Sequence, residues 1–205
     1  PRSPSFPSPP PFRSLTTGTA LAQTIPLLAS PILTRIYTPA DFGLLALFMA
    51  VVQCVLPMVS GRYDIALVVP KDESRGEQLF GVAVLFAIVI SCAFAVFLFV
   101  AHEWVIGVLD AEKLGWWIYL TPLVLFMSGI YGTSNYFANR KKFYRLMAKA
   151  SFIQAAINVV VTVGLGLAGF GFVGLLLGNI LALLVTTFYI IRSSVPHLFR
   201  TVFGN

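Results

Sequence analysis

Charged residues are scarce in this 205-residue chain: Asp, Glu, Lys and Arg together make up 11% of it, against 58% hydrophobic residues. A soluble globular domain carries about a quarter charged residues, so a soluble fold is not expected. The mean hydropathy of +0.86 comes from long apolar runs. These runs are about twenty residues long, which is the length of helix that spans a bilayer core of roughly 30 Å. The scarcity of charge therefore predicts an integral membrane protein.

Cysteine and histidine are also rare, with two of each. Cys54 and Cys92 lie within apolar runs, where we expect them to be buried as small apolar side chains without a disulfide framework. The two histidines lie far apart, and no Cys/His cluster has the spacing of metal ligands. A phosphate loop, a nucleophile elbow and paired catalytic carboxylates are missing as well. We therefore expect no catalytic residues, no metal, no cofactor and no enzyme activity.

The apolar residues fall into six runs, which predict an all-α integral membrane fold, a bundle of six transmembrane helices. A Pro/Ser-rich segment, residues 1–13, precedes them and is expected to be a disordered cytoplasmic tail. The six-helix membrane lobe is expected over residues 14–192, followed by a cytoplasmic C-terminal segment, 193–205. In the sixth run, Gly174 and Gly178 predict close helix packing. The predicted spans are Leu15–Tyr37, Phe42–Val69, Leu79–Ala101, Trp116–Ala138, Ala150–Ala168 and Phe172–Ile191.

The basic residues predict the orientation of the chain. Cytoplasmic loops of membrane proteins carry an excess of Lys and Arg. With a cytoplasmic N-terminus, the outer loops hold only Arg35 and Lys113, whereas the inner segments hold most of the other basic residues. We therefore expect both termini in the cytoplasm, and we read the positive charge as a topology signal that does not imply nucleic acid.

Polar residues recur at steps of three, four and seven in the first, second, fourth and fifth runs, which places each set on one helix face. A polar group in hydrocarbon is costly unless it faces protein or a wet cavity. We interpret the four faces as the wall of a polar cavity, with cargo-binding candidates on three of them. The alternative is that these residues only join neighbouring helices by hydrogen bonds. The candidates are Gln53, Asn135, Gln154 and Asn158.

Three stretches carry a resemblance: LTRIYTPADFGLLALF (33–48), GRYDIALVVPKD (61–72) and SNYFANRKKFYRLMAKA (134–150). In order and spacing they resemble the N-terminal half of bacterial polysaccharide-repeat flippases, the O-antigen and capsule translocases. These flippases form the polysaccharide transport branch of the multidrug/oligosaccharidyl-lipid/polysaccharide exporter superfamily. The resemblance extends from about Leu15 to Arg192.

The resemblance implies a two-lobe transporter of 12 to 14 helices, of which this chain is one lobe. It implies flipping of undecaprenyl-pyrophosphate-linked oligosaccharide across the bacterial inner (cytoplasmic) membrane for surface polysaccharide and lipopolysaccharide synthesis. Arg35 and Arg62 lie in the matching motifs and become candidate contacts to the anionic cargo, and Asp64 becomes the candidate ion-coupling residue. The implied partners are the lipid-linked oligosaccharide, membrane lipid, a second six-helix lobe from the parent chain and other membrane proteins of polysaccharide biosynthesis.

Two other functions stay open at this point. A cation-coupled multidrug exporter of the same superfamily would need unpaired carboxylates in its cavity, and Asp64 is the single acidic candidate near a span interior. A non-transporting membrane scaffold would pack Gln53, Asn135, Gln154 and Asn158 against protein and leave no cavity. The presence and the lining of a cavity therefore separate the three hypotheses.

Overall fold

A computed structural model describes the backbone of residues 10–60, 73–109, 112–140 and 143–202, and every regular element within these ranges is helical. Side chains are described over residues 22–59, 81–107, 113–136, 138–139 and 143–193. In chain order the elements are α1 (Pro10–Ile36), α2 (Pro39–Ser60), α3 (Glu73–Val100), α4 (His102–Leu109), a 3₁₀ helix (Glu112–Leu120), α5 (Thr121–Arg140), α6 (Tyr144–Leu167) and α7 (Phe172–Val202).

Five segments in the described ranges are long and apolar enough to cross a membrane: Pro39–Val59, Gly81–Val100, Lys113–Tyr136, Tyr144–Leu167 and Phe172–Ser193. The chain is thus an all-α, multi-pass membrane protein. The helix α1, predicted as the first of six spans, is not among the five, because its Thr, Ser, Gln and Pro residues lower its mean hydropathy.

The boundaries differ from the prediction where helices start or stop on local signals. α1 begins at Pro10, inside the predicted tail 1–13, and residues 1–9 lie outside the described residues. α2 starts at Pro39, and its described part ends at Ser60. Residues 61–72 lie outside the described residues, and with them Arg62 and Asp64. The fourth span begins with the 3₁₀ segment Glu112–Leu120, and Gly115, with a positive φ of 46°, puts a kink inside it.

The helix α7 is the centre of the bundle. In the most apolar, membrane-spanning part of α7, 56% is buried inside the protein, whereas only 11% of the equivalent part of α6 is buried. α7 packs against α6, α5 and α2, while α1 lies along α6 and α3 lies along α5. Apolar side chains from α2, α3, α5 and α7 form the core, among them Phe48, Leu98, Leu125 and Leu176. The contacts of α1 run mainly to α6, so its position depends on that one helix.

A tight turn reverses the chain between α6 and α7. The Gly169 amide donates to the Gly166 carbonyl at 3.0 Å, and the Phe170 amide donates to the Leu165 carbonyl at 3.2 Å. This pair of bonds is the Schellman motif, which needs a left-handed residue just after the helix. Gly169 supplies it with a φ of 82°. α7 then begins at Phe172, directly beside the start of α2.

The start of α2 and the start of α7 share one carboxylate, that of Asp41. Its Oδ2 accepts hydrogen bonds from the Thr38 amide at 2.9 Å and the Thr38 hydroxyl at 2.7 Å. The Asp41 amide donates back to the Thr38 hydroxyl at 3.3 Å, which completes a capping box with Pro39 at the first helical position. Oδ1 accepts from the Phe172 amide at 3.0 Å. A single side chain therefore caps two helices that lie 131 residues apart.

The neighbouring Tyr37 ties α1 to α6. Its ring is buried, with 3% of the residue exposed, and its hydroxyl donates to the Thr162 carbonyl at 2.7 Å. We call the set Tyr37, Thr38, Asp41, Thr162 and Phe172 the helix-end joint. It brings the last turn of α1, the last turns of α6 and the first turns of α2 and α7 to one end of the bundle. Since α1 and α6 both end there, the two helices run parallel.

Three glycines allow close packing at the joint, because a side chain at any of them would clash with neighbouring residues. A Cβ atom on Gly166 would lie 2.6 Å from Ile36 Cγ2 and 2.8 Å from the Tyr37 ring, and one on Gly174 would meet the Tyr37 hydroxyl. A Cβ atom on Gly178 would meet the Thr162 hydroxyl and lie 3.3 Å from the Asn158 carbonyl oxygen. The predicted packing face of Gly174 and Gly178 is therefore confirmed, and its partners are α6 and Tyr37.

Substitution of Gly166 should test this packing against a matched control on the same helix. We expect Gly166→Ala to lower the free energy of unfolding by about 1–3 kcal/mol, because the rigid Tyr37 ring must shift. Gly164→Ala meets nothing within 4 Å, so it should be neutral or stabilising by up to about 1 kcal/mol. Equilibrium unfolding in mixed micelles, followed by circular dichroism, measures both. Equal effects of the two variants would contradict the packing.

Removal of the Asp41 carboxylate should loosen two helix starts together. We expect Asp41→Ala to cost about 2 kcal/mol, since it exposes orphan amides at the start of both α2 and α7. Hydrogen–deuterium exchange of the purified chain should then show faster exchange at Phe172 as well as near Thr38. Faster exchange at Thr38 alone would mean that the contact to α7 contributes nothing.

Candidate functional site

An open cavity of about 410 Å³ lies between α1, α6 and α7. Five of its lining side chains are neutral and polar, and the other three are small and apolar. No Lys, Arg, Asp or Glu of the described residues is among them. The lining consists of Ala22, Gln23 and Pro26 from α1, Ser151, Gln154, Ala155 and Asn158 from α6, and Asn179 from α7.

The cavity lies near the middle of the membrane-spanning length. Asn179 is seven residues after the start of α7, and Asn158 is nine residues before the end of α6. At 1.5 Å per residue these positions are about 10 Å and about 13 Å from the joined helix ends. Pro26 is ten residues before the end of α1, or about 15 Å from the same end. In a hydrocarbon core of roughly 30 Å, these depths are close to the midplane.

Most of the lining amides keep free hydrogen-bonding capacity. Among the described residues, no hydrogen bond joins the side chain of Gln23, Gln154 or Asn158 to another group. Asn179 makes one long bond, from Nδ2 to the Leu175 carbonyl of its own helix at 3.4 Å. Ser151 shares a side-chain hydrogen bond with Tyr131 of α5. At mid-membrane depth, open amides require water or a polar ligand in the cavity.

The structure brings two of the predicted site residues together, Gln154 and Asn158, one turn apart on α6. It places Gln53 on the exposed face of α2 and Asn135, half-buried, on α5, and neither lines the cavity. Arg35 is exposed in the last turn of α1, also away from the cavity. Arg62 and Asp64 lie outside the described residues. Of the predicted site residues, Gln154 and Asn158 thus line this cavity, and Gln53, Asn135 and Arg35 do not.

Asn179 is the lining residue that sequence reasoning passed over, because the sixth run looked almost wholly apolar. A single Asn seven residues into an apolar run was the available signal, since an amide at that depth needs a polar neighbour. Gln23 and Ser151 belonged to the predicted polar faces of α1 and α6, and both line the cavity. The sequence alone could not single out these two residues as cavity-lining, because that depends on how α1 packs along α6.

The outward face of α2 differs from that of α3. Exposed residues of α3 are large and apolar, such as Leu85, Val89 and Phe99. On α2, five exposed residues form a helical stripe that is small or polar: Gly43, Ala46, Ala50, Gln53 and Pro57. The large apolar Met58 is exposed beside this stripe. Lipid tails give no preference for small residues, whereas contacts with protein do. The α2 stripe thus has the composition of a surface that faces protein or a polar space.

The cysteines and acidic residues in the described part of the chain form no candidate metal site. No group of three or more His, Cys, Asp or Glu residues there could hold a metal ion. Cys54 and Cys92 are free, and both are exposed. The expectation that they are buried was wrong, since they lie on the outward faces of α2 and α3.

Cysteine labelling should distinguish a hydrated cavity from a lipid-facing surface on the same helix. In a background with Cys54 and Cys92 replaced by Ala, we expect a water-soluble maleimide to modify Asn158→Cys in membranes. Val160→Cys should stay unmodified, because Val160 is 70% exposed on the outer side of α6 and a thiol in hydrocarbon is not ionised. Equal labelling of the two positions would contradict a separate wet cavity.

Comparison with known proteins places the chain in a family. A family model described as "Polysaccharide biosynthesis protein" matches residues 32–203, which include α2 to α7 and the α1 residues next to the joint. Searches of curated proteins and of solved structures found no significant match. The family agrees with the resemblance to polysaccharide flippases drawn from residues 33–48, 61–72 and 134–150. The chain therefore belongs to the polysaccharide biosynthesis protein family.

Proposed function

We propose that this protein flips lipid-linked oligosaccharide, carried on undecaprenyl pyrophosphate, across the cytoplasmic membrane of a bacterium. The observation that carries the proposal is the polar cavity at mid-membrane depth, in a member of a polysaccharide biosynthesis family. A flippase must give the hydrophilic head of its cargo a polar surface inside the bilayer, because the head cannot enter hydrocarbon unsolvated. Gln154 and Asn158 are the proposed cargo contacts, joined by Gln23 and Asn179. The protein acts as a transporter and not as an enzyme.

We infer six spans, with α1 as the first. α1 has 27 residues and α6 has 24, which correspond to about 40 Å and about 36 Å of helix. The two run parallel, share the cavity and end at the same joint. A helix that follows a spanning helix along its length passes through the same depth of membrane. With six spans both termini lie on one side, which the basic residues assign to the cytoplasm.

The small and polar stripe of α2 supports a second lobe. A lobe of the same size, from the rest of the parent chain, would cover Ala46, Ala50 and Gln53 and close a passage between the two lobes. Arg35 at the end of α1, together with Arg62, would supply positive charge to this passage for the pyrophosphate group. Asp64 remains the proposed ion-coupling residue. Other membrane proteins of polysaccharide biosynthesis are proposed as partners.

The lining of the cavity favours this function over the two alternatives. A multidrug exporter with cationic cargo needs carboxylates, and the described lining has none. A scaffold would have no open space at Gln154 and Asn158, whereas these residues border a cavity of about 410 Å³.

Lipid mass spectrometry on cells that lack the gene tests the function. We expect undecaprenyl-pyrophosphate oligosaccharide to accumulate and surface polysaccharide to fall, with both effects reversed by the intact gene. The double variant Gln154→Leu/Asn158→Leu should restore surface polysaccharide about thirtyfold less well, since it removes two amide contacts of about 1 kcal/mol each, and every 1.4 kcal/mol is about a factor of ten.

Val160→Leu is the matched control, because it changes the outer side of the same helix and should complement as the intact gene does. Protein levels in the membrane are compared by immunoblot. If the deletion leaves both the lipid pool and the polymer unchanged in a strain without a second flippase, the chain is not the flippase.

A further inference from the structure

The described lining of the cavity suits an uncharged ligand. Each described lining side chain is neutral, and Arg35, the proposed anion contact that the structure describes, lies in the last turn of α1, nine residues beyond Pro26. That separation along the helix is about 13 Å. A pyrophosphate that enters a membrane-embedded cavity needs cations or many aligned amide donors to replace its water. Among the described residues the cavity offers side-chain amides and no cation, so this part of its wall does not suit the charged group of the cargo.

The open amides suit hydroxyl groups instead. A carboxamide presents two donors and an acceptor oxygen with two lone pairs, and a hydroxyl group both donates and accepts. Gln23, Gln154 and Asn158 are free to bond in this way among the described residues, and they approach the cavity from two helices. A sugar ring, with hydroxyls spread around it, matches such an array, whereas an apolar or cationic drug leaves the amides unsatisfied.

Pro26 adds a backbone acceptor to the same wall. Proline has no amide hydrogen, so the carbonyl of the residue four positions earlier loses its helical partner. That residue is Ala22, and both Ala22 and Pro26 line the cavity. The free carbonyl of Ala22 supplements the side-chain acceptors. The apolar surfaces of Ala22, Pro26 and Ala155 suit the C–H face of a sugar ring.

The size of the cavity agrees with this ligand. Small-molecule sites in proteins measure roughly 300–1,000 Å³, and this cavity, at about 410 Å³, is at the lower end of that range. A single sugar ring fits such a space with a few water molecules, and a polyprenyl chain does not.

We propose that the cavity between α1, α6 and α7 is a subsite for an uncharged sugar of the cargo, and that the pyrophosphate binds elsewhere. The inference rests on the proposed flippase function, and it separates the contacts of the sugar from the contacts of the charged group. It extends the cargo contacts to Ser151 and the Ala22 carbonyl.

Saturation-transfer difference NMR on the purified full chain in detergent tests the subsite. The probes are glucose, galactose and N-acetylglucosamine, each with inorganic pyrophosphate as a competitor. We expect at least one sugar to give a signal, pyrophosphate to leave that signal unchanged, and Gln154→Leu/Asn158→Leu to weaken binding about thirtyfold. Gln154→Glu should keep most of the binding, because a carboxyl group still bonds to hydroxyls; it also serves as the second variant if the Leu pair folds poorly.

Thr187→Val is the matched control. Thr187 is buried on α7 outside the cavity, and its hydroxyl has no partner among the described residues, so its loss should not change sugar binding. The inference is overturned if none of the three sugars gives a signal, if pyrophosphate displaces the sugar, or if the Leu pair binds as the wild type does. In each case the flippase proposal stands or falls separately, on the lipid pools of cells with and without the gene.

Discussion

The carboxylate of Asp41 and the hydroxyl of Tyr37 determine where α1 lies, and the cavity exists because α1 lies there. α1 packs mainly on α6, and two parallel helices in lipid have no hydrophobic force to hold their relative depth. The bond from Tyr37 to the Thr162 carbonyl supplies that register. Asp41 then joins the starts of α2 and α7, so the ends of four helices act as one unit while the cavity between α1, α6 and α7 stays open.

Residues of the motif at 33–48 have different roles in this arrangement. Tyr37, Thr38 and Asp41 are structural, because their polar atoms are used in capping and in the contact to α6. Arg35 is exposed just before them. The resemblance carried by this motif is therefore stronger evidence for the architecture of the lobe than for contacts to cargo. The polar residues available to cargo lie one to two turns deeper, where no capping is needed.

The sequence predicted the helices well and the site in part, for physical reasons. Hydrophobic run length depends on local composition, so the spans at α3, α6 and α7 could be located without a structure. The capping role of Thr38 and Asp41 was also readable from their spacing of three around Pro39, but the contact to Phe172 joins residues too distant for any local pattern. The period of α6 put Gln154 and Asn158 on one face. It could not tell that Gln53 and Asn135 are not part of the wall of this cavity, because that depends on how each helix is rotated in the bundle.

A neutral cavity also suits a transporter that must release what it binds. Hydrogen bonds to a sugar replace hydrogen bonds to water in the same wet space, so each contributes only about 1 kcal/mol of net binding free energy. Several such bonds select a hydroxyl-rich group without holding it tightly. A buried cation facing pyrophosphate would bind more strongly, and its desolvation would be costly in the empty state. In the proposed flippase, separation of the sugar from the charge would let the charged group move along a wider passage, while the neutral subsite would provide selectivity with fast release.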